Sequence, residues 1–77
     1  MSDPLNYMRI DAPEGTKVRW AFHQAGYPHD QELAAKHLKF SNTYTVDETV
    51  IHTWSTDVYL KEVPGVAFNS VIFAEVV

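Results

Sequence analysis

The sequence contains no cysteine among its 77 residues, which removes disulfide bridges, thiolate zinc sites and thiol catalysis together. A chain this short sits near the lower limit for a single hydrophobic core, so its own packing or self-association has to hold it. Positive charge is also scarce. Six Lys plus Arg stand against ten Asp plus Glu, for a net charge of -4, and no basic run occurs. Binding to nucleic-acid phosphates rests on clustered cations and is disfavoured. No apolar stretch approaches the roughly 18 residues that a bilayer-spanning helix needs. Residues 1 to 15 lack a basic region followed by an apolar run, so no secretory signal is expected. The expectation is a soluble cytoplasmic protein; the alternative, a mature extracellular fragment, is weakened by the lack of cysteine.

What is present is β-branched, aromatic and alternating. Thr16 to Phe22 alternates polar with large apolar residues, which predicts a strand with Val18, Trp20 and Phe22 inward. Between Asp57 and Val63 the same period places Val58, Leu60 and, by count, Glu62 on one face. Asp57, Tyr59, Lys61 and Val63 fall on the other. Pro64-Gly65 reads as a type II turn, with Val66-Ala67-Phe68 as the returning strand. Thr43 to Trp54 reads as one long bent strand or two, with a bulge at Asp47-Glu48, and Ser55-Thr56-Asp57 as the hairpin that follows. Asn69-Ser70-Val71 suits a single 3₁₀ turn that drops Ile72 or Val71, and Phe73, into the core. Ala74 to Val77 is expected as a final strand beside the first.

The long segment from Phe22 to Phe40 carries a different signal. Gly26 and Pro28 break the strand, Asp30 fits a helix N-cap, and Glu32 lies where a helix dipole favours an anion. One or two helical turns are predicted, held by Leu33 and Leu38. Ser41-Asn42 is a turn candidate, Asn tolerating the left-handed conformation. Residues 1–15, punctuated by Pro4, Pro13 and Gly15, are read as an N-terminal arm in which Tyr7 to Ile10 forms either a short edge strand or a loose tail. Residues 16–77 are read as the domain: mainly β, a small five-stranded barrel with a long loop carrying a short helix after the first strand.

This order of strand, long loop, turn at Leu38 to Asn42, three meander strands, 3₁₀ turn and last strand resembles a Src homology 3 (SH3-like) barrel over residues 16–77. A narrower likeness rests on Tyr44-Thr45-Val46, Trp54-Ser55-Thr56, Val58-Tyr59-Leu60, Glu62, Pro64-Gly65, Phe68-Asn69-Ser70-Val71 and Phe73. In these the chain is similar to small proteins of bacteriophages and bacterial genomes. The likeness implies a phage or mobile-element setting and transfers no catalytic residue. Peptide-binding members of the Src homology 3 class grip polyproline on an aromatic shelf. Here the first-strand tyrosine motif is replaced by Val18 to Phe22, the paired tryptophans are reduced to Trp54, and the segment Asn69 to Phe73 lacks the proline and tyrosine. Polyproline recognition is therefore not expected.

The candidate chemistry is sparse. His23, His29, His37 and His52 lack the tight spacing of a tetrahedral zinc site, whose ligands lie at about 2.0 to 2.3 Å, and are read as surface or half-buried side chains. No metal or cofactor is implied. His29-Asp30 could serve as acid and base, with His52 converging on them, but no nucleophile is spaced to accompany them. The scattered carboxylates Asp47, Glu48, Asp57, Glu62 and Glu75 read as solubilising charges that guard strand edges. Nucleic-acid mimicry by the acidic surface would call for more charge. Trp20, Phe22, Phe40, Tyr44, Phe68 and Phe73 read as core. Tyr7, Tyr27, Trp54 and Tyr59 are placed outward. Tyr27, Trp54, Asp57, Tyr59 and Lys61 form the candidate interface, set against a solvated strand face with incidental aromatics. The sequence thus points to a non-enzymatic binding module contacting a protein partner or a copy of itself. The alternative is an inhibitor of host defence that sequesters a protein or small ligand.

Overall fold

The computed structural model describes residues 7–22, 25–40 and 42–76. Five strands, β1 (Lys17–Trp20), β2 (Thr43–Ile51), β3 (Thr56–Leu60), β4 (Val63–Asn69) and β5 (Phe73–Glu75), form one antiparallel sheet in the order β4-β3-β2-β1-β5. Helix α1 (Pro28–His37) lies between β1 and β2, and a 3₁₀ turn (Ser70–Ile72) precedes β5. β4 and β5 are the outer strands, and no ladder joins them among the described residues.

The inward positions are the bulky ones. Val18, Val46, Val58, Leu60, Phe68, Ile72 and Phe73 are fully buried, with Trp20 and Tyr44 almost so. In β1 to β4 each alternates with a wetter neighbour, as in Thr56 to Leu60, where Thr56, Val58 and Leu60 are buried and Asp57 and Tyr59 half-buried, whereas Ile72, Phe73 and Ala74 are buried in succession. Phe68 and Phe73 meet edge to face, their ring centres 6.0 Å apart, a geometry aromatic quadrupoles favour. Phe22 and Phe40 are less enclosed than the sequence suggests. Phe22 is half-buried and stacks on Tyr7 at 4.3 Å, while Phe40 stays 39% exposed and touches Trp20 edge-on.

β2 pairs first with β1 and then with β3, and its register shifts between Val46 and Glu48. That shift is the bulge expected at Asp47-Glu48, and it lets one strand serve both halves of the sheet. The hairpin between β3 and β4 departs from expectation. Leu60 pairs with Val63, so Lys61 and Glu62 form the turn and Pro64-Gly65 lies within β4. Two steps along β3, from Val58 to Leu60, then face five along β4, from Phe68 to Val63. A strand at the sheet edge tolerates a proline that cannot donate to the ladder, and Gly65 takes the positive φ of 81° that the irregularity needs. Glu62 is exposed rather than inward, and its Oε1 accepts the Thr45 N–H at 2.8 Å. At the preceding turn, Thr56 and Asp57 belong to β3, and the reversal is closed by His52 N–H donating to the Ser55 carbonyl at 2.8 Å.

The arm is docked where it is described. Met8 and Ala12 are buried in the core, Tyr7 bridges Ala74, and Met8 N–H donates to the Phe73 carbonyl at 3.1 Å. The free edge of β5 is thereby covered. Leu5 and the rest of residues 1–6 lie outside the described residues, as does Ser41 of the expected Ser41-Asn42 turn. Asn42 N–H donates to the Lys39 carbonyl at 3.1 Å, and no described non-glycine residue has a positive φ.

Candidate functional site

Helix α1 runs for ten residues, longer than the one or two turns expected, and its start explains why. Pro28 occupies the first helical position, where its fixed φ is suited to a helix and its missing N–H is not needed. Tyr27 is the N-cap residue, so Asp30 is the third helical residue and not the cap. Asp30 reaches back: its Oδ2 accepts the Tyr27 N–H at 2.9 Å, satisfying a donor next to the helix start. Ala34 and Leu38 then bury themselves, with Leu33 half-buried beside them, and α1 packs on β4.

The same Asp30 Oδ2 accepts a second hydrogen bond, from Asn69 Nδ2 at 3.1 Å. Asn69 is the N-cap of the 3₁₀ turn, and its Oδ1 accepts the Val71 N–H at 3.2 Å. One carboxylate and one amide therefore tie the helix start to the end of β4. Against this tie, Gly26 approaches so closely that a Cβ there would lie 2.8 Å from Asp30 Oδ2.

Two adjoining hollows open beside this junction. Tyr27, Ser55 and Asn69 border both. Trp54, Gly26 and Val71 complete one, and Asp57, His29, Asp30 and Leu33 wall the other. Trp54 is 94% exposed and Tyr27 64%. The His29 ring lies parallel to Tyr27 at 5.8 Å, with Nε2 3.4 Å from Asp30 Oδ1. His52 Nε2 lies 3.0 Å from Asp57 Oδ2.

Of the five interface candidates, Tyr27 borders both hollows, Trp54 one and Asp57 the other, and the two hollows joined along Tyr27, Ser55 and Asn69 make up the groove. Tyr59 and Lys61 do not border it. Tyr59 is half-buried opposite Glu48, and Lys61 Nζ pairs with Glu14 Oε2 at 2.6 Å. Ser55, Asn69 and Val71 were not singled out from the sequence as site residues. Asn69-Ser70 at the start of a 3₁₀ turn is the local signal for one of them, since Asn is a favoured cap.

Of the catalytic candidates, His29 and Asp30 share the groove with Asp57, to which His52 is bonded. Among the described residues no group of three or more His, Cys, Asp or Glu is placed to hold a metal ion. His37 instead meets the Phe68 ring edge-on, and His23 lies outside the described residues.

Fold and groove together define a small, mainly β protein of five antiparallel strands with an exposed aromatic groove. The family model described as Bacteriophage T4 protein Y07B matches residues 17–77, most of the chain, and the chain belongs to that family. It is thus a small phage-type protein. Comparison with curated proteins and with solved structures gave no match. No helix among the described residues is long and apolar enough to cross a membrane.

Proposed function

We propose that the protein is a non-enzymatic binding module of phage type, acting in the cytoplasm, whose groove beside Tyr27 and Trp54 receives a protein partner. The observation that carries this is the exposure of Trp54. A ring left 94% in water contributes almost nothing to the core, whereas Trp and Tyr are favoured anchors at interfaces. Asp30 and Asn69 hold the groove wall from two directions, so the surface is preformed and a partner has little ordering cost to offset.

The fold is proposed to be SH3-like, a bent sheet over residues 16–77 that approaches a barrel. Its support is the strand order, the helix-bearing connection after β1 and the 3₁₀ turn before β5. Membership of a phage family favours a second reading, in which the partner is a host-defence protein held inactive.

The test is capture from bacterial lysate on immobilised full chain, run beside W54A and Y27A. A protein retained by the wild type and lost by both variants supports the module. Equal retention by all three overturns it. Size-exclusion chromatography adds one distinction: a doubled mass that W54A returns to the monomer makes the partner a second copy.

A further inference from the structure

The lining of the groove carries charge of one sign. Asp30 and Asp57 border it, and no Lys or Arg does. Lys61, four residues after Asp57, is engaged elsewhere, with Glu14. The two carboxylates also differ in what they have left to offer. Asp30 is buried and holds the Tyr27 N–H, Asn69 Nδ2 and the His29 ring. Asp57 keeps 34% of its side chain exposed and faces His52. Asp57 is therefore the charge presented to a guest, with Asp30 adding to the field behind it.

Tyr27 borders the same hollow as these carboxylates and Trp54 the adjoining one, with the His29 ring parallel to Tyr27. An exposed aromatic face beside a carboxylate attracts a flat cation twice, through the ring quadrupole and through charge-assisted hydrogen bonds. A guanidinium meets both demands, because it is planar, weakly hydrated, stacks on rings and forks onto a carboxylate. An ammonium is a strongly hydrated point charge and stacks less well. We infer that the groove between Trp54, Tyr27 and Asp57 binds an arginine side chain presented by the protein partner. This deepens the proposed function and rests on it.

The probe is N-acetyl-arginine amide, titrated into ¹⁵N-labelled full-length protein, with N-acetyl-citrulline amide as the neutral isostere. The arginine compound moves the Trp54 indole N–H and the Ser55 and Val71 amides saturably, with at least tenfold higher affinity than the citrulline compound. D57N lowers that affinity at least threefold, W54A abolishes the shifts, and K61A leaves them unchanged. Equal response to citrulline, shifts centred elsewhere, or full affinity in D57N would overturn the inference. Equal or tighter binding of N-acetyl-lysine amide would overturn the guanidinium assignment.

Partner capture and arginine binding separate in these experiments. If W54A abolishes partner capture but the arginine compound neither binds nor elutes the partner, the module stands and the arginine does not. If the arginine compound binds while capture ignores W54A, the module fails.

Discussion

Asp30 and Asn69 are 39 positions apart in the chain and 3.1 Å apart in space. Asp30 is almost fully buried there, and a buried carboxylate is stable only when its hydrogen bonds are complete. D30A removes the partner of Tyr27 N–H and of Asn69 Nδ2 together. The expected loss is about 2 to 3 kcal/mol, because hydrogen bonds to a charged group are each worth about 1.5 to 3 kcal/mol. In a urea-denaturation cycle of D30A, N69A and the double variant, a coupling of about 1 kcal/mol is expected. Strict additivity would contradict a direct interaction.

Gly26 and Gly65 separate backbone strain from steric conflict. Their φ values are close, 77° and 81°. A Cβ at Gly65 meets nothing within 4 Å, whereas one at Gly26 lies 2.8 Å from Asp30 Oδ2. G65A is expected to cost about 1 kcal/mol from the left-handed backbone alone. G26A should cost more, and the excess should shrink when Asp30 is already alanine. Equal costs in thermal unfolding would show that the helix junction yields freely.

Phe68 and Trp54 are the opposite extremes of the aromatic set. Phe68 is buried against Phe73, His37 and the core, so Phe68→Ala should cost about 3 to 5 kcal/mol through the cavity it leaves. Trp54→Ala should stay within about 0.5 kcal/mol, as exposed substitutions do. Chemical denaturation of the two variants decides the matter, and a Trp54 loss as large as that of Phe68 would place the indole in the fold instead of the groove.

Docking of the arm is expected to depend on acid. The Arg9 backbone N–H donates to Glu75 Oε2 at 2.8 Å and its guanidinium Nε at 3.0 Å. The backbone hydrogen bond foremost, opposed by partial burial and aided by the Arg9 side chain, holds the Glu75 carboxyl below its ordinary range. A depressed folded-state pKa means stabilisation that is present above the unfolded value and lost as pH falls through the folded one. Amide exchange at Met8 and Arg9 should therefore quicken, after correction for intrinsic rates, as pH drops below the ordinary carboxylate range. E75Q should loosen the arm already at neutral pH. Protection unchanged in E75Q would mean that Met8 burial alone holds the arm.

Much of the sheet was legible because its signals are local. Alternation at Val18 and Trp20 and at Val58 and Leu60, the Asp47-Glu48 bulge and the 3₁₀ turn after Asn69 each show in a few consecutive residues. Pro64-Gly65 misled because the same pair suits a turn or an irregular edge strand, and only the Leu60 to Val63 pairing chooses between them. Asp30 was legible as belonging to a helix start, but Pro28 at the first position moves the cap back to Tyr27. The groove was half visible. Tyr27, Trp54 and Asp57 stand out by type and outward phase, while Asn69 joins them through a contact no local pattern encodes. Lys61 shares the strand phase of Asp57, yet its partner, Glu14, lies 47 positions away.

The most direct test of the groove is the affinity of the captured partner for four purified chains, measured by calorimetry: wild type, W54A, Y59A and K61A. The account predicts at least a tenfold weakening for W54A and wild-type affinity for Y59A and K61A. Full affinity in W54A, with loss in Y59A or K61A, would move the interface to the outer face of β3 and contradict it.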